Sequence, residues 1–146
     1  MNDRYLFRAK RTDNGEWVEG FLFQLCYDST FCWCIGNEPL TPNDYSELYG
    51  FNREWFYIDE STICQCTGLK DKNEKMIWEN DICDRKEPYP EIVTYAKGDW
   101  TLDYSYATGR ERGSCYCNLG FYTNERMSVS VIGNIFDNPE LLEQEG

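Results

Sequence analysis

Six of the eight cysteines fall in three Cys-X-Cys pairs, Cys32/Cys34, Cys64/Cys66 and Cys115/Cys117, while Cys26 and Cys83 stand alone. Residues two apart on a strand point to the same face. Two such pairs on neighbouring strands could therefore present four thiolates to one zinc ion. Two features weigh against this. The chain has no histidine, and structural zinc sites usually place two residues between their cysteines, around a tight knuckle. The apolar neighbours Phe31, Trp33, Ile63 and Leu119 fit a plainer reading, in which several thiols are small core side chains. A disulfide within one pair is disfavoured, because two strand positions set the Cα atoms near the upper limit of reach. The sequence thus assigns no metal ligand and no cofactor.

Carboxylates offer a second chemistry. Asp99 with Asp103, or Glu79 with Asp81, could serve as an acid–base pair. With 26 acidic residues in the chain, close pairs arise by chance, and a solvated face is the ordinary explanation. Without histidine there is no Ser-His or Cys-His nucleophile system, and neither a phosphate-cradling nor a dinucleotide fingerprint occurs. No catalytic residue is assigned, and the chain reads as non-enzymatic, with thiol or carboxylate chemistry the only routes left open. The stripe Trp100, Leu102, Tyr104, Tyr106 could be a platform for a peptide or stacked bases. More often such a stripe is the buried face of a sheet, with its hydroxyls at a wet rim. The binding residues are left unknown.

The elements that would position these groups read mainly as strands. Aromatics make up 16% of the chain and hydrophobic residues 41%, which favours half-buried pleated surfaces over disorder. Tyr5 to Ala9 and Trp17 to Cys26 read as strands joined by the Asp13-Asn14-Gly15 turn, and Thr30 to Ile35 as a third. Thr41 to Gly50 has room for one helical turn, and Trp55-Phe56-Tyr57-Ile58 is a continuous apolar run of the kind buried on both faces. In the second half, Ile92 to Ala96 and Trp100 to Tyr106 flank the turn Lys97-Gly98-Asp99. The loop Thr108 to Gly113 carries Arg110 and Arg112 as a solvated tip. Cys115, Cys117, Leu119 and Phe121 would share one face of a strand, and Met127 to Ile132 alternate as another. Asn138 and Pro139 predict the cap and first position of a short C-terminal helix.

Charge narrows the partners. A formal net charge of −12 repels phosphate backbones, so no nucleic acid is expected. The nearest approaches to a basic cluster are Arg8, Lys10 and Arg11, and Arg110 with Arg112. The acidity reads first as solubility and, more sharply, as a surface that imitates DNA or docks on a basic protein. The first eight residues are too charged for a signal peptide, and no apolar run approaches bilayer length. We therefore expect a cytoplasmic protein without membrane contact, its thiols reduced.

Three segments carry a resemblance. The first is Cys66-Thr67-Gly68-Leu69-Lys70-Asp71-Lys72-Asn73-Glu74-Lys75-Met76-Ile77-Trp78-Glu79-Asn80-Asp81-Ile82. The second is Val131-Ile132-Gly133-Asn134-Ile135-Phe136-Asp137-Asn138-Pro139-Glu140-Leu141, and a weaker third is Phe7-Arg8-Ala9 followed by Trp17 and Gly20. Together they resemble the YopX-like family of phage proteins, whose pattern runs Thr-Gly-Leu, Asp-Lys-Asn-Gly-Lys and Glu-Gly-Asp-Ile. The chain departs from it with Glu74 and Asn80 where the family usually has glycine. Asn80 keeps a left-handed turn, whereas Glu74 predicts a different turn type. The resemblance implies a small SH3-like barrel, a phage or prophage origin, and self-assembly through the N-terminal segments. It carries no catalytic residues.

The combined expectation is a mainly β protein of the YopX-like type. Residues 1–61 would be an N-terminal β-rich extension used in assembly, and residues 62–146 an SH3-like barrel with a short C-terminal helix, together one YopX-like domain. Its function would be that of an interaction or self-assembling module, with a homo-oligomer or a protein as partner. The alternatives are an acidic inhibitor or DNA mimic acting on a host protein, and a cysteine-based zinc-binding module.

Overall fold

The computed structural model describes residues 5–38 and 54–143. The chain divides into two compact units, Met1–Gln65 and Cys66–Gly146. Both are mainly β, and every strand pairing is antiparallel. The helical turn expected within 41–50 lies outside the described residues. Among the described residues, no helix is long and apolar enough to cross a membrane.

In the first unit, strands β1 (Phe7–Lys10), β2 (Trp17–Tyr27), β3 (Thr30–Gly36) and β4 (Trp55–Tyr57) join the start of β5 (Cys64–Lys70) in the order β4-β3-β2-β1-β5. The β2–β3 ribbon turns at Asp28 and Ser29, whose φ values of 48° and 64° match a two-residue type I′ hairpin. Its sheet is apolar on both faces. Ala9, Ile35 and Ile58 form one cluster with Leu22 and Trp33, while Phe23 and Cys34 form another with Leu25 and Trp55. A Cβ at Gly20 would collide with the Gly36 carbonyl oxygen, so only glycine lets β2 approach β3 there. The run Trp55 to Ile58 is not a strand buried on both faces. Among the described residues β4 pairs only with β3, and Tyr57 is 48% exposed. An apolar run fits such an edge position because the large rings still cover one another, Trp55 against Tyr57 at 5.0 Å between centroids.

In the second unit, the rest of β5 pairs with β6 (Met76–Trp78) across a hairpin. Strands β7 (Asp81–Asp84), β8 (Glu91–Ala96), β9 (Asp99–Asp103), β10 (Tyr116–Asn118) and β11 (Ser130–Asn134) form a sheet ordered β10-β9-β8-β7-β11. Ile77, Cys83, Val93, Leu102, Leu119 and Val129 are its fully buried centre, and burying a side chain of the Val, Leu or Ile kind contributes roughly 1.5–3 kcal/mol. Lys97 and Gly98 both have positive φ, 51° and 84°, as the β8–β9 turn demands.

The sheet is not closed into the expected SH3-like barrel. Closure needs terminal strands long enough to carry hydrogen bonds around the tilt, and β10 has three residues. The strand foreseen through Phe121 stops at Asn118, whose side-chain oxygen accepts the Phe121 N–H at 2.8 Å and starts a helical turn over Phe121–Glu125. The expected C-terminal helix is one 3-10 turn, Pro139–Leu142, with proline at its start and an extended Glu143 at its end. Four residues are too few to nucleate an α-helix.

Candidate functional site

The cysteines differ in burial. All eight are free thiols; Cys34, Cys64, Cys66 and Cys83 are buried and Cys26 is exposed. Burial, with a contribution from Cys32, pushes the Cys34 thiol up to about 12, and burial beside Asp81 holds Cys83 well above its ordinary value. These thiols behave as core side chains. Among the described residues, no three Cys, Asp or Glu side chains converge as metal ligands.

The carboxylate pairs dissolve into backbone acceptors. Asp99 and Asp103 are four residues apart on one strand, about 13 Å at the ordinary rise. Buried Asp103 accepts the Ser105 N–H at 2.9 Å and the Gly113 N–H at 2.6 Å, while exposed Asp99 binds the Asn118 side-chain amide. Asp81 accepts the Trp78 N–H at 2.8 Å. The aromatic stripe splits in the same way. Leu102 lies in the core with Trp100 against it, and β9 ends before Tyr104. Tyr106 donates its hydroxyl to the Pro90 carbonyl at 2.6 Å. Arg112 is no free loop tip either, since it donates to Asn80 Oδ1 at 2.6 Å and Thr94 Oγ1 at 3.0 Å.

The densest group of reactive side chains was not singled out by the sequence. Arg85, just after β7, donates Nε to Glu91 Oε1 at 2.6 Å and Nη2 to Glu91 Oε2 at 3.3 Å. Its Nη1 reaches Glu87 at 2.8 Å, its Nη2 also reaches Cys117 Sγ at 3.3 Å, and its guanidinium lies 4.2 Å from the centre of the Tyr122 ring. Burial pushes Glu91 upward, and Arg85 opposes the shift without cancelling it. Burial likewise outweighs Arg85 at Cys117, whose thiol is raised. The hydrogen bonds of Arg85 to Glu87 and Glu91 clamp the 85–91 loop. Tyr89 packs on Tyr104 above it, ring centroids 5.7 Å apart. The available sequence signal was a glutamate set directly against the β-branched run Ile92-Val93, a charge about to be buried.

Three turns hold the signature segments. Asp71 accepts the N–H groups of Asn73 at 2.8 Å, Lys75 at 2.9 Å and Val131 at 2.9 Å, so one carboxylate closes the β5–β6 hairpin and pins β11. Burial pushes it upward, but these three donors outweigh burial and leave it below the ordinary aspartate range. Contrary to expectation, Glu74 does take the left-handed conformation of a glycine, with φ 65°. Asn80 also does so at 71°, as expected. A Cβ at Gly133 would meet Asn138 Oδ1 at 2.5 Å, the atom that accepts the Asn134 N–H at 3.1 Å. The shared Asp, Asn and Gly positions are turn chemistry.

These turns belong to a recognised pattern: the family model described as YopX protein matches residues 6–143, and the chain belongs to that family. It is also similar to protein EF1440 from Enterococcus faecalis, known from a crystal structure, at 27% identity. That match covers 94% of this chain and 96% of that one, with a TM-score of 0.51. No curated protein matches the chain.

Proposed function

We propose that the chain is a non-enzymatic interaction module of a phage or prophage, working in the bacterial cytoplasm by binding a protein partner or assembling with its own copies. The observation that carries this reading is the exposed aromatic surface on the ribbon and edge strand of the first unit. Tyr27 and Phe31 are each 65% exposed around one ribbon tip, with Tyr57 exposed on β4. Exposed aromatic surface of this kind marks contact surfaces in soluble proteins. The second unit supports the same reading from the opposite side. Its buried carboxylates Asp71, Asp81 and Asp103 each accept backbone N–H groups, which ties them to the fold. The excess of acid over base favours a partner with a basic surface. Light scattering after size-exclusion chromatography, with affinity capture followed by reconstitution from purified components, tests the proposal. A strict monomer that forms no reconstituted complex would sink it.

A further inference from the structure

We infer that the open edge of β3 is a strand-addition site for an extended, basic peptide segment. The inference rests on the interaction reading above and gives it a location. Trp33 turns its carbonyl to the β4 side, where it accepts the Ile58 N–H at 3.1 Å. Backbone groups of alternate strand residues point the same way, so Phe31 turns its N–H and C=O to that side too. There β4 has already left: it pairs with β3 only from Cys34 to Gly36, and Ile58 bridges to Arg11. Phe31 pairs with Cys26 of β2 on its other side, and among the described residues no strand pairs with it on the β4 side.

A groove of about 430 Å³ runs beside this edge, with Phe31, Cys32, Trp33, Tyr57, Ile58 and Glu60 among its lining residues. An added strand would hydrogen-bond to the edge and lay alternate side chains against the aromatic wall, which is the physics of β-augmentation. The charge of the groove selects the occupant. Among the described residues Glu60 is its one charged lining residue, and the chain carries −12 overall. A second copy would bring the same negative charge, whereas a segment with alternating apolar residues and a flanking lysine or arginine complements both features.

The test is amide chemical-shift mapping of the full reduced chain with a capped peptide, acetyl-Lys-Val-Thr-Val-Thr-Lys-amide, and its counterpart ending in glutamates. The lysine peptide is expected to move the amides of Thr30 to Trp33 and Tyr57 to Glu60. Phe31→Ala, at an exposed position that leaves the fold intact, should weaken binding several-fold, and Glu60→Lys should weaken it about threefold while favouring the glutamate peptide. Silence of these amides, equal binding of the two peptides, or shifts that follow protein concentration alone would each overturn the inference. If a reconstituted complex forms while the edge stays silent, the groove is wrong and the interaction reading stands. If the peptide binds the edge of a chain that forms no complex, the reverse holds.

Discussion

Arg85 holds Glu91 with two nitrogen–oxygen hydrogen bonds, and the Glu91 side chain is only 1% exposed. A buried ion pair of this geometry costs much to break and little to replace whole, because the penalty comes from the charge left behind. Arg85→Met is expected to lower unfolding stability by about 3–5 kcal/mol. The double variant Arg85→Met/Glu91→Leu should recover much of that loss. Urea denaturation of both single variants and the double variant checks it, and equal losses in all three would refute the pair.

Asp71 predicts a pH dependence. Its folded pKa lies below the unfolded value, so its contribution is complete above the ordinary aspartate range and is lost as pH falls through the folded value. Glu91, raised by burial, has the opposite sign. Comparison with Asp71→Asn therefore isolates the first effect. The variant should be weaker by about 2–3 kcal/mol at neutral pH, with the gap to the parent closing as the solution is acidified.

Glu74 sits at φ 65°, where an L side chain crowds its own backbone. Glu74→Gly removes that strain at some cost in unfolded-chain entropy. We expect a net gain of roughly 0.5–1 kcal/mol, read as a higher thermal midpoint with the same near-ultraviolet spectrum.

The thiols should react in two groups. Cys26 is exposed and should be alkylated first, whereas Cys34, Cys64, Cys66 and Cys83 should resist until the chain unfolds. Burial and a pKa of about 12 both protect Cys34. Time-resolved iodoacetamide labelling with peptide mass spectrometry distinguishes the groups, and early labelling of Cys83 would contradict the core described above.

The strands were legible in the sequence wherever periodicity and turn chemistry agreed. Lys97-Gly98 between a β-branched run and an alternating one is such a place: β8 ends at Ala96 as expected, and β9 follows the turn but stops at Asp103, short of the expected Tyr106. Legibility failed where a side chain redirected the backbone. The apolar alternation through Phe121 continued on paper, but Asn118 captured the Phe121 N–H and bent the chain into a helical turn. Barrel closure failed with it, because that bend left β10 too short. The Arg85–Glu91 clamp stayed hidden for another reason, since a charged residue beside prolines reads as loop until tertiary burial is known. The signature motifs lie in turns, and at one of them Glu74 accepted a glycine's geometry that its chemistry argued against.

Asn80 sends its backbone N–H to Val93, receives the Ile135 N–H at its carbonyl, and offers its side-chain oxygen to Arg112. A glycine here could make the first two links and never the third. The asparagine side chain thus tethers the arginine-bearing loop to the sheet. Relaxation measurements on Asn80→Gly should find that loop faster and looser, a change in tempo within an unaltered architecture.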